Sequence, residues 1–331
     1  MGNFALTVQT LTDGRAGNAA QAEGLAEAIA RLVPAEIAHT AAPLRRGGAL
    51  VPALVWHGVG QVAPALLRAA HMGVPGQASL PDLAIGAGRR TAPLLASLGR
   101  QGARTVQLLD PGLPASALDL VVVPEHDRLR GPNVLTSLGA LGRITPTRIA
   151  EAAAELAPRL PCAEAPRLAI LVGGPGGMAG WTPEDGTRLL AVLEDLAAHH
   201  SLLVTASRRT EAPMVAALER LLDPARHLFY DGRAGENPYP GLLGHTKAVL
   251  VTEDSVNMAS EAASTGLPVH IFRLERASAK ARRFHAALAS HGAARDFQGT
   301  IAAWSYPPLA EADRLAKATL ARLFPNHLPA P

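Results

Sequence analysis

The sequence predicts an α/β protein of two Rossmann-like doubly wound domains facing a central cleft, and three observations predict it. The chain has 331 residues, about twice the length of an average domain. Short apolar runs alternate with Ala- and Leu-rich stretches of helical length in both halves, the pattern of strand–helix–strand units that feed a parallel sheet. Between the halves, Pro158, Pro161 and Pro166 punctuate the stretch Pro158–Arg167, which reads as a linker. The expected division is residues 1–145, residues 165–305 and a terminal segment 306–331 whose helix can cross back to the first domain.

In the first half, strands are expected at Ala5–Leu11, Ala53–Trp56, Leu83–Gly86, Thr105–Leu109, Leu120–Val123 and Val134–Thr136, with helices at Ala19–Leu32, Gly60–His71 and Ala92–Arg100. A helix over Ile144–Ala157 precedes the linker. In the second half, strands are expected at Leu168–Val172, Leu202–Thr205, His227–Phe229, Ala248–Thr252 and Val269–Phe272, with helices at Pro183–His199, Pro213–Leu222, Ser255–Ser264 and Ala279–Ser290. The last helix, Leu309–Leu323, ends before Pro325.

Composition narrows the function class. Hydrophobic residues make up 48% of the chain and charged residues 18%, enough apolar material for two cores and too much for disorder. The net charge is +3 and comes mostly from Arg, whose planar fork suits phosphate, although codon bias in a GC-rich genome also yields arginine. Cys162 stands alone, which leaves no intramolecular disulfide and no Cys-based zinc site. His57, His245, His285 and the other histidines lack metal-ligand spacing, so no metal is expected; no cofactor is expected either. Met1–Val8 lacks the pattern of a signal peptide, and no apolar run reaches membrane-spanning length. A cytoplasmic protein is expected, with peripheral contact to the inner membrane left open. Arg273, Arg276, Lys280, Arg282 and Arg283 crowd one stretch, but no aromatic residues interleave them as in single-strand binders, so no nucleic-acid partner is expected.

In doubly wound sheets, ligands bind beyond the carboxyl ends of the strands, which makes the loops there the candidates. After Ala248–Thr252 comes Glu253-Asp254 and then a helix that Asp254 or Ser255 can cap. At about 100° per residue, Asp254, Asn257 and Glu261 share one polar stripe flanked by Met258. Glu261 can accept both hydroxyls of a ribose, and the helix start at Ser255 can donate N–H groups to a phosphate. A helix with one solvated face would look the same. Ser207, Arg208 and Arg209 follow another strand at the start of the next helix, where two arginines with hydroxyls nearby suit a diphosphate, or are surface arginines. Gly173 and Gly174 follow Leu168–Val172, where glycines allow close backbone approach and can form an N–H nest for an anion; a plain connecting loop is the alternative.

These residues carry a resemblance. Asn237-Pro238-Tyr239, Thr252 through Ala262, and Thr265-Gly266-Leu267-Pro268-Val269 look like the nucleotide-sugar signature of GT-B glycosyltransferases. They resemble more closely the family named after the plant factor "elongated mitochondria", whose name describes a phenotype and not a reaction. Leu11-Thr12-Asp13-Gly14-Arg15-Ala16-Gly17-Asn18 with Gln21, Gly88-Arg89-Arg90-Thr91 and Val172-Gly173-Gly174 fit the same family. The resemblance spans roughly residues 5–323 and implies a GT-B-like fold. It also implies metal-independent transfer from a nucleotide diphosphate sugar, with a membrane-associated glycolipid as one possible acceptor.

On that reading, donor contacts come from Gly14, Arg15, Gly173, Gly174, Ser207, Arg208, Arg209, Asp254, Ser255, Asn257, Met258 and Glu261. Acceptor contacts come from Asn18, Gln21, Arg89 and Arg90. Arg15 would offset the charge of the departing diphosphate, and Asp13 or His126 would be the general base. Asp13 also reads as a turn or cap residue, and His126 as a surface-loop histidine. Two other readings stay open: a non-catalytic scaffold or membrane-associated binding protein, and a nucleotide-sugar epimerase.

Overall fold

A computed structural model describes residues 5–73, 79–161, 165–233 and 237–327; Cys162 lies outside the described residues. The chain divides into two compact units, Met1–Arg143 with Ala310–Pro331, and Ile144–Leu309.

The first unit runs β1 (Leu6–Thr12), α1 (Ala16–Ala30), β2 (Ala35–Ala41), α2 (Ala53–Val62), α3 (Pro64–Ala70), β3 (Leu83–Ala87), α4 (Ala92–Arg100), β4 (Arg104–Leu108), β5 (Leu120–Pro124) and β6 (Val134–Ser137). The six strands form one parallel sheet in the order β2-β1-β3-β4-β5-β6. Alternate side chains feed opposite faces, as strand geometry requires. Val8, Ile85, Val106 and Val122 pack against Leu25 and Ile29 of α1. Leu11, Ala84, Val121 and Val123 pack against Leu94 and Leu95 of α4. The chain's last helix, Glu311–Leu323, returns to this unit and sets Leu315 and Leu320 into the α1 side of the core.

Two expectations fail here. Ala53–Trp56, expected as a strand, is the first turn of α2. The helix expected at Gly60–His71 is broken at Ala63, because Pro64 has no N–H to continue α2 and instead occupies the first turn of α3.

The second unit runs α5 (Pro146–Leu156), β7 (Arg167–Val172), β8 (Ala179–Gly180), α6 (Pro183–His199), β9 (Ser201–Ala206), α7 (Ala212–Leu221), β10 (Leu228–Tyr230), α8 (Tyr239–Gly244), β11 (Val249–Thr252), α9 (Val256–Ala263), β12 (Val269–Phe272), β13 (Arg276–Ala277), α10 (Ala279–Ser290) and β14 (Ala294–Asp296); the returning terminal helix is α11. Its main sheet is parallel in the order β10-β9-β7-β11-β12-β14, beside a small antiparallel β8–β13 pair. Leu168, Ile170 and Val172 of β7 face Leu189, Leu193 and Leu196 of α6. Leu203 of β9 faces Leu156 of α5 and Leu242 of α8 on the other side. A capping box starts α6: Thr182 accepts from the Asp185 N–H, and Asp185 accepts from the Thr182 N–H. Helices α5 and α8 pack closely, because Gly241 and Gly244 leave room where a Cβ would stand 2.5 Å from the Ala152 carbonyl oxygen and 2.7 Å from the Ala153 Cβ.

Both sheets have a topological switch point, where successive strands are added on opposite sides. In the first unit it falls between β1 and β3, and in the second between β7 and β11. The loops leaving those strands are where a ligand would sit.

Candidate functional site

The second switch point is a locked junction of three loops. Asp254 is 2% exposed and lies between β11 and α9. Its carboxylate accepts from Gly174 N (2.8 Å), Thr252 Oγ1 (2.8 Å), Trp181 Nε1 (3.3 Å) and Arg209 Nη2 (3.0 Å). Burial pushes its pKa up, opposed by the hydrogen bonds from Gly174 and Thr252, the Arg209 charge and the Trp181 bond. Arg209 also donates to the carbonyls of Gly174 and Pro175. Thr210 Oγ1 donates to the Gly173 carbonyl and accepts from Ser207 N at 2.9 Å. The loops after β7, β9 and β11 are thereby one cross-linked unit.

This geometry corrects three expectations. Asp254 lies outside the helix and beneath the junction, so the outward stripe reduces to Asn257 and Glu261 beside Met258, all half-buried. The N–H groups of Gly173 and Gly174 are not an anion nest: they donate to Thr252 Oγ1 and Asp254 Oδ2. Both positions must be glycine because the loops touch, since a Cβ would stand 2.0 Å from Asp254 Oδ2 at Gly173 and 2.1 Å from the Arg209 carbonyl oxygen at Gly174. Ser207, Arg208 and Arg209 are not at a helix start, because α7 begins at Ala212 behind its N-cap Glu211. Arg208 is exposed, while Arg209 is spent on Asp254.

Above the junction stands α9. Ser255 is its N-cap, with its hydroxyl accepting from Met258 N at 3.4 Å. The first N–H groups of the helix therefore open at the carboxyl edge of β11, where the partial positive charge of the helix end favours an anion. Two turns on, Glu261 is half-buried, and burial pushes its pKa to about 7 against a hydrogen bond from Tyr239 and the charge of Arg148. Tyr239 is 7% exposed, with its hydroxyl also 3.3 Å from the Met258 carbonyl oxygen. Its phenol is pushed far up by burial and by the neighbouring Glu261. Neither Tyr239 nor Arg148 is singled out by a local pattern in the sequence. Tyr239 stands inside the quoted signature, while Arg148 lies on α5, far from Glu261 along the chain.

At the first switch point, Asp13 follows β1 and is 9% exposed. It accepts from Asn18 Nδ2 (2.9 Å) and Arg15 N (3.3 Å), and pairs with Arg15 Nε at 3.5 Å. Gly14 has φ +82° and Gly88, after β3, has φ +89°; a Cβ on Gly88 would stand 2.6 Å from Asn18 Nδ2. Asp13, Gly14, Arg15, Asn18 and Gly88 are thus brought together. Gln21 is buried and donates to the Gly17 carbonyl at 3.3 Å. Arg89 is exposed and pairs with Asp110, and Arg90 is half-buried. His126 is buried, 7% exposed, in the turn after β5. That strand is two places from β3 in the sheet. The basic stretch near residue 275 is partly neutralised, as Arg273 bridges Glu253 and Asp296 at 2.6 and 2.7 Å.

Residues 16–323 match the profile of the family described as Mitochondrial fission ELM1. The Mitochondrial fission protein ELM1 of Arabidopsis thaliana is 27% identical over 69% of this chain, a match that spans 61% of the plant protein. An uncharacterized protein of Rickettsia prowazekii is 26% identical over 72% of this chain and 78% of its own length. Among solved structures, a UDP-GlcNAc 2-epimerase from Neisseria meningitidis bound to UDP-GlcNAc superimposes with a TM-score of 0.51 at 12% identity, covering 97% of this chain and 93% of that one. Likeness at that identity shows a shared GT-B-like fold. With its motifs matched along nearly the whole length, the chain belongs to the Mitochondrial fission ELM1 family.

Proposed function

We propose that the chain binds a nucleotide diphosphate sugar at the second switch point and transfers its sugar without a metal. The observation that carries this is the arrangement on α9: a Ser255-capped N-terminus opening at the edge of β11, with the Glu261 carboxylate two turns along the same helix. The helix end offers N–H groups and positive potential to the diphosphate, and Glu261 offers two acceptor oxygens to ribose hydroxyls. The UDP-GlcNAc of the Neisseria epimerase has the same parts, a diphosphate and a ribose. In the first unit, Asp13 would act as the base and Arg15 would offset leaving-group charge, with Asn18, Gln21, Arg89 and Arg90 meeting the acceptor, which a membrane glycolipid would suit. Peripheral attachment to a membrane would follow from such an acceptor.

A second reading has its own support. Asp13 is held by Asn18 and Arg15 and His126 is buried, so neither predicted base lies open to an acceptor, as a binding protein without transfer would have it.

Thermal denaturation with excess UDP, GDP, CMP or ADP tests the proposal, since a ligand of the native state raises the midpoint by mass action. One nucleotide should raise it, and Glu261→Ala should abolish the rise. No shift with any of the four removes the reading. A shift without sugar transfer or hydrolysis of the matching nucleotide sugar selects the binding protein.

A further inference from the structure

Every exposed large hydrophobic residue among the described residues lies between Leu50 and Leu80. Scattered single apolar residues need no explanation, but a concentrated set does. Helix α2 shows how it is built. Leu54, Val55, Gly58, Gln61 and Val62 are exposed, and at about 100° per residue they cover one face. The opposite face buries His57 and Gly60 and is held where Arg100 donates to the Gly60 carbonyl at 2.6 Å. The helix is therefore amphipathic in reverse, with its apolar residues outward; Val62 is 85% exposed. Leu66 extends the surface on α3, and Leu50 and Met72 flank it, Leu50 at 89% exposed.

These segments form one body. Arg45 N donates to the Ala70 carbonyl and Arg45 Nε to the Ala69 carbonyl, each at 2.9 Å, and Met72 N donates to the Pro43 carbonyl at 2.8 Å. Trp56 Nε1 donates to the Gly48 carbonyl at 3.0 Å. Charge then says what covers the surface. The chain carries 28 acidic residues, yet residues 37–81 contain none. The same stretch holds Arg45, Arg46 and Arg68. Outward apolar side chains on a stretch that carries three arginines and no carboxylate match a helix lying in the headgroup region of an anionic bilayer. Among the described residues no helix is long and apolar enough to cross a membrane, so the contact is at the surface.

We infer that the α2–α3 face is a peripheral membrane-binding surface for anionic lipid. It uses none of the switch-point residues and stands whether or not nucleotide binds.

Cosedimentation of the purified chain with phosphatidylcholine vesicles, with and without phosphatidylglycerol, tests it. Binding should require phosphatidylglycerol and weaken with salt. Leu54→Glu combined with Val62→Glu should abolish it. Arg46→Ser combined with Arg68→Ser should weaken it roughly twenty-five-fold, at about fivefold per arginine. All four positions lie on the surface or half-buried, and unchanged thermal denaturation confirms that each variant folds. The inference is overturned if anionic vesicles fail to sediment the chain, if neutral vesicles do so equally, or if the Leu54/Val62 variant binds undiminished. It is also overturned if the chain is a dimer that this variant converts to a monomer, which would make the face a self-interface.

Discussion

Glu261 titrates near neutrality, and the direction of its effect can be worked out. Its folded pKa is about 7 against an ordinary 4.5, raised by burial. Below the ordinary value it is protonated in both states and costs nothing. As pH rises from 4.5 to 7 the unfolded chain releases its proton first, so stability falls through that window and then levels. Glu261→Gln removes the titration, so between about pH 5 and pH 8 the variant should gain on the order of 2 kcal/mol relative to the parent chain in urea denaturation. Binding moves the other way. The ionised carboxylate accepts two ribose hydroxyls and the protonated one accepts fewer, so nucleotide affinity should rise through neutrality, by roughly tenfold from about pH 6 to pH 8. In Glu261→Gln the affinity should be lower and lack this component. Equal pH slopes in both proteins, measured by calorimetry, would show that some other group titrates.

At the scale of elements, the glycine loop after β7 makes a sharp comparison. A Cβ at Gly174 meets the Arg209 carbonyl oxygen at 2.1 Å and Thr210 N at 2.6 Å, both backbone atoms that cannot swing away, while at Gly177 nothing lies within 4 Å. Gly174→Ala should therefore cost more than about 2 kcal/mol, in the range of overpacking penalties, and Gly177→Ala should be near neutral. Equal losses in urea denaturation would mean that the junction is looser than its hydrogen bonds indicate. The same loops show what could be read from sequence. Strands β3, β5, β7, β9, β11 and β12 are buried on both faces and read as continuous apolar runs. Strand β2 sits at the sheet edge with four of its seven residues exposed, so its mixed sequence gives no such run. Ala53–Trp56 looked like a strand because a four-residue apolar run does not show its period; it is apolar on the outside of α2. Ser255 and Glu261 were legible because a cap and a helical stripe are local patterns. The burial of Asp254 was not, because Trp181 and Arg209 reach it from loops 73 and 45 residues away.

At the scale of the molecule, the chain closes its first unit with its last helix. Leu315 and Leu320 of α11 are fully buried in the core built by β1, β3 and α1. The helix is pinned there by polar bonds: Glu311 accepts from Leu138 N at 2.8 Å, Arg314 donates to the Thr136 carbonyl at 2.6 Å, and Arg31 pairs with Asp313 at 2.6 Å. The exposed Arg31–Asp313 pair contributes little, so the apolar contacts hold the helix. Leu315→Ala or Leu320→Ala should each cost about 2–5 kcal/mol, as for buried leucines elsewhere. The second unit has its own core, so the loss should be local. Hydrogen exchange should show weakened protection of β1 and β3, with β7, β9 and β11 unchanged, and the nucleotide-induced stabilisation of the second unit should survive. Uniform loss of protection in both sheets would show instead that the two units unfold as one.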